Sequence, residues 1–151
     1  MPIHPIEPTF EKHYIDRLLT LDENSERKFG TLTPAGMCRH MRTSFEAAVG
    51  IGNVKDISTP VVRSVIFFLT TRVIKVWPGG KIKAPGYWAP APDYDFQKEQ
   101  QLLIEAIQVF LSHTPDPSKA NPHPLFGPLT HRQWELLLGP HLHHHLRQFG
   151  I

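Results

Sequence analysis

Apolar residues recur along this chain in steps of three and four, the spacing that keeps one face of a helix turned towards a core. Phe10, Tyr14, Leu18 and Leu21 form the first such stripe, with Ile15 and Leu19 beside it, and predict a helix from Thr9 as cap to about Leu21. Residues 1–8, with Pro2, Pro5 and Pro8, read as an extended arm. Thr33 before Pro34 is a capping residue followed by proline at the first helical position, and a second helix follows to about Val49, ending near Gly50 and Gly52. Phe96, Leu103, Ile107 and Phe110 mark a third, from Asp95 to about His113, and Thr130 opens a last one.

Pro60 to Trp77 is the most apolar segment, with no charge between Arg63 and Arg72. It is too short to span a bilayer. Its β-branched content would permit a strand, but no partner strand is evident, so it reads as an extra helix packed on the others. Two long connections, 78–93 and 114–129, are rich in proline. The first, holding Lys81, Lys83, Tyr87 and Trp88, reads equally as a covering strap or as a lid. The whole predicts a single all-α domain: four principal helices, an additional apolar helix and long Pro-rich loops.

Two of the stripes contain histidine. On the second helix the inward positions are Thr33, Met37, His40, Ser44 and Ala47; on the last they are Trp134, Leu138, His141, His145 and Gln148. His141 and His145, four residues apart, stack on one helix face and can reach one metal ion. Leu142 interrupts the histidine run, and Leu146, Phe149 and Ile151 continue the apolar pattern, unlike a purification tag. His143 points to the opposite side and is expected in solvent. His144 lies on the flank, close enough to contact the ligands or a substrate, as are Gln148, Trp134 and Ser44. Cys38 sits two residues from His40 and faces away, so it reads as a small buried hydrophobe.

Charge and composition narrow the partners. The net charge of +2 with histidines neutral, and the lack of any Lys/Arg run, argue against nucleic-acid binding. A single cysteine and a start without a signal-peptide pattern suit a cytoplasmic protein.

The residues Leu32-Thr-Pro-Ala-Gly-Met-Cys-Arg-His40, His123-Pro-Leu-Phe-Gly127 with Thr130 and Trp134, and His141-Leu-His-His-His145-Leu-Arg-Gln-Phe-Gly150 resemble the DinB-like superfamily of metal-binding helical bundles. Within it they resemble the family called domain of unknown function 1569. The resemblance implies a DinB/YfiT-like four-helix bundle of the up-down-down-up type, often dimeric. It also implies a divalent metal on His40, His141 and His145, the set that the stripes reach independently. Three protein nitrogens leave an open position, as in catalytic sites. Zinc is the default occupant, with nickel or iron as alternatives; an iron site of two histidines and a carboxylate would need an Asp or Glu on these stripes, and none is there. Some relatives use low-molecular-weight thiols, so the expected activity is a thiol-dependent transferase or a hydrolase using metal-bound water, acting on a small-molecule substrate. His144 is the one candidate to move a proton, and Lys81, Lys83 and Arg147 are candidates to meet an anionic substrate. The alternative is a non-catalytic metal- or ligand-binding bundle or an interaction module of unknown role, with 60–77 as a candidate homodimer face.

Overall fold

The computed structural model describes residues 1–74, 76–79 and 94–151; Lys81, Lys83, Tyr87 and Trp88 lie outside them. The described chain is mostly helical. Helices α1 (Phe10–Leu19), α2 (Pro34–Ala48), α3 (Phe96–Ser112) and α4 (His131–Arg147) surround one core. The Thr33 hydroxyl accepts the Gly36 N–H, and the Asp95 carboxylate accepts that of Lys98. Thr130 and Gln133 form a reciprocal capping box at the start of α4. Thr9 does not cap as expected: its side chain makes no bond to the helix, which ends at Leu19 rather than Leu21.

Cross-helix contacts fix the directions. Gln100 of α3 donates to the carbonyls of Leu18 and Leu21, while Gln108 reaches Glu11, so α1 and α3 are antiparallel. Arg42 bonds Glu99, and Phe45 packs edge-on against Phe110, so α2 and α3 run the same way. Tyr14 bonds the Gly139 carbonyl and Arg17 reaches His143, so α1 and α4 also run together. His40 meets His141, whereas the end of α2 is tied through Asn121 to Trp134 near the start of α4, so these two are antiparallel. Glu99, almost fully buried, holds α3 to α2 through Arg39 at 3.3 Å and Arg42 at 3.0 Å.

Three expectations are corrected. The connection 114–129 contains a two-stranded antiparallel ladder, β1 (Asn121–His123) with β2 (Gly127–Leu129). Pro122 and Pro128 face each other in it, a pairing that needs no N–H from either. The N-terminal arm is not simply extended. It turns at His4–Glu7 and lies against α4, with the Ile3 N–H on the Tyr14 hydroxyl and its carbonyl where a Cβ on Gly139 would stand, 2.2 Å away. The apolar segment is helical, but Val62–Ile66 and Leu69–Val73 have wide π turns; the Ile74 N–H reaches the Leu69 carbonyl five residues back, at 2.7 Å. Its inner side supplies Thr70, whose carbonyl accepts from the buried Trp77 indole, but Val61, Val65, Phe68 and Val73 remain more than half exposed. No helix among the described residues is long and apolar enough to cross a membrane.

Candidate metal centre

The antiparallel run of α2 beside α4 brings His40 opposite His141, and one helical turn brings His145 to the same point. His141 Nε2 lies 3.0 Å from His40 Nε2 and 3.1 Å from His145 Nε2. The three rings are nearly equidistant, with centroids 4.7–5.0 Å apart. His40 and His141 are buried; His145 keeps a partly exposed edge, but its ligating nitrogen belongs to the same buried cluster.

Hydrogen bonding alone cannot satisfy this arrangement. A neutral imidazole nitrogen carries either one proton or one lone pair. The single Nε2 of His141 can therefore make one good hydrogen bond, yet it faces two other nitrogens at bonding distance. His145 Nδ1 lies 3.2 Å from the Gln148 amide oxygen, which only accepts, so the proton belongs on Nδ1 and a lone pair on Nε2. One cation at the convergence would use all three lone pairs. Nitrogens about 2.0–2.1 Å from a common ion stand about 3.0 Å apart at right angles and about 3.4 Å apart in a tetrahedron, a range that holds both measured separations.

Electrostatics favours the ligating form. Burial pushes the pKa of His141 well below the usual value, and possible charge on His145, His40, His123 and His144 lowers it further. His145 is lowered first by burial and then by His40 and His144, against the opposing bond to Gln148. Both are neutral at pH 7, as metal ligation requires. The donor set among the described residues is all imidazole, which fits zinc, nickel, copper or iron.

The other expected residues have distinct places. Gln148 touches His145. His144 is buried beside Trp77 and Phe29, its ring 5.1 Å from that of His145. Burial lowers its pKa, partly offset by the Trp77 backbone. The Ser44 hydroxyl bonds the His40 carbonyl at 3.0 Å, holding the helix rather than the ring. Trp134 donates to the Asn121 carbonyl and faces His123. Arg147 lies 3.5 Å from the Trp77 carbonyl. Cys38 is buried, with its thiol pushed up to about 12, and is no nucleophile at neutral pH. His143 is not simply solvated: it is half-buried against Arg17 at 3.1 Å, and burial and that charge lower it to about 4.

Two neighbours carried no periodic signal. Trp77 stacks on His141, with ring centroids 5.4 Å apart and planes 26° apart. His123, at the end of β1, accepts the N–H groups of Leu125 and Phe126 on Nδ1, which leaves its proton on Nε2. Burial, and then charge on His40, lowers its pKa to about 3.

No curated protein and no solved structure matches the chain. A family model does, over residues 10–150, which include every residue of this centre, and the family is described as a protein of unknown function (DUF1569). The chain belongs to the DUF1569 family.

Proposed function

We propose that this protein is a metal-dependent enzyme of the DinB-like superfamily, built as a four-helix bundle of the up-down-down-up type. His40, His141 and His145 would hold one divalent ion, zinc by default and nickel or iron as alternatives. The observation that carries the reading is the buried cluster of three imidazole nitrogens in which His141 Nε2, able to make one good hydrogen bond, stands 3.0 and 3.1 Å from those of His40 and His145. The parallel pairs α1/α4 and α2/α3 support the bundle assignment.

An ion bound there would supply Lewis acidity at an open position, lowering the pKa of a low-molecular-weight thiol or of water. The chain itself would do the rest. His40 fixes the ion to α2, the pair on α4 completes the set, and Trp77 covers the ring of His141. His144 is the candidate to move a proton. We therefore favour a thiol-dependent transferase, or a hydrolase, acting on a small-molecule substrate in the cytoplasm. The test is to load the metal-free protein with cobalt(II) and titrate a small thiol. A sulfur-to-metal charge-transfer band supports the transferase; cobalt bound without such a band removes the thiol and leaves hydrolysis.

A second reading, a non-catalytic interaction module, has its own support in the exposed Val61, Val65, Phe68 and Val73. That face is also the candidate homodimer surface. Sedimentation of the parent beside a Val65→Asp, Phe68→Asp variant tests the dimer: one that the variant breaks assigns this face to self-association, and a monomeric parent removes that role from it.

A further inference from the structure

We propose that Gln148 is a positioning residue for this centre: seated against Gly30, its amide oxygen fixes His145 as the Nδ1–H tautomer and so aims the His145 Nε2 lone pair at the point shared with His40 and His141. The proposal rests on the metal reading for its purpose, but its geometry stands independently. Gln148 is only 4% exposed, one turn after His145, and its Oε1 lies 3.2 Å from Nδ1. An amide oxygen rotated away would release the ring to either tautomer, and the Nε2–H form has no lone pair to offer at that position.

The segment between α1 and α2 holds the amide in place. The Lys28 N–H donates to the Gln148 backbone carbonyl at 2.7 Å. Phe29 packs on His144, with ring centroids 5.4 Å apart. Gly30 then adopts φ +77°, and a Cβ there would stand 1.9 Å from Gln148 Nε2 and 3.1 Å from Cδ. The glycine therefore meets two demands at once, a left-handed backbone and room for a buried side-chain amide. Three consecutive residues of a connecting loop thus seat the turn of α4 that carries the ligand.

The test uses the full chain with Gln148→Leu, Gln148→Glu and Gly30→Ala. Zinc affinity is read by chelator competition, and the His145 tautomer by ring nitrogen NMR of the metal-free protein at pH 7.5. Gln148→Leu is expected to weaken zinc binding about 10–100-fold, the usual effect of removing a partner behind a ligating histidine. Gln148→Glu keeps an acceptor and is expected to stay close to the parent. Gly30→Ala displaces the amide, so it should weaken binding in the parent but add little in a Gln148→Ala background. Unchanged affinity in Gln148→Leu, or a parent ring protonated on Nε2, overturns the proposal. A parent that binds no zinc overturns the metal reading instead. The tautomer then decides alone: an Nδ1–H form lost in Gln148→Leu sustains the role of Gln148, and one that persists removes it.

Discussion

The Nε2 atoms of His40 and His141 stand 3.0 Å apart across two antiparallel helices, on residues separated by 101 positions in the chain. Without a cation this contact competes with the one to His145 for the same nitrogen; with one, both become shared coordination. Metal binding should therefore stabilise the fold. At zinc about 100 times above its dissociation constant the gain is about 2.7 kcal/mol, a rise in Tm of about 5–10 °C for a chain of this size. Calorimetry with and without zinc reads it. The same addition should leave His40→Ala unmoved.

The buried histidines set an acid limit. His123 titrates near 3 in the folded protein against about 6.5 unfolded, so between those values the unfolded chain holds more protons. Its contribution is complete above pH 6.5 and declines as pH falls below it, by about 1.4 kcal/mol per pH unit. His141 and His145 are shifted in the same direction and add to the slope. Metal-free protein melted from pH 8 to 4 should lose stability from about 6.5 downward. A melting temperature flat to pH 4.5 would contradict this account.

Trp77 offers an optical report. Because its ring stacks on that of His141, copper or nickel at the centre should quench it. Emission titrations of the parent and of Trp77→Phe should differ, with most of the metal-dependent change absent from the variant. An equal change in both would place the ion elsewhere.

Much of this was legible in the sequence, for local reasons. Thr33 before Pro34, and Thr130 three residues before Gln133, bond within their own first turns, so the starts of α2 and α4 could be read directly. The steps of four and three then placed His40, His141 and His145 on inward faces. What escaped depends on partners far along the chain. His143 looks outward on α4, but Arg17 of α1 meets it. His123 ends a strand of three residues, too short for any alternation to register. Thr9 has the residue type of a cap, but its backbone is already helical, which leaves its hydroxyl no bond to the helix.

Glu99 is the main electrostatic tie between α2 and α3 among the described residues. It is nearly buried, and Arg42 beside it is largely so. Glu99→Ala leaves Arg42 with Glu46 alone, 2.8 Å away, and removes the carboxylate from Arg39, so it should destabilise the protein by about 1.5–3 kcal/mol in chemical unfolding. Exposed Lys12 and Asp16 also pair, one turn apart on α1. Lys12→Ala there should cost less than about 0.5 kcal/mol.

Metal content tests the central claim most directly. The protein is made without a tag or a nickel column, beside a His141→Ala, His145→Ala variant, and both are measured by mass spectrometry. This account predicts about one divalent ion per chain in the parent, given one three-histidine site, and none in the variant. A parent that stays metal-free even when zinc or nickel is offered would contradict it, and the three histidines would then be a buried polar network.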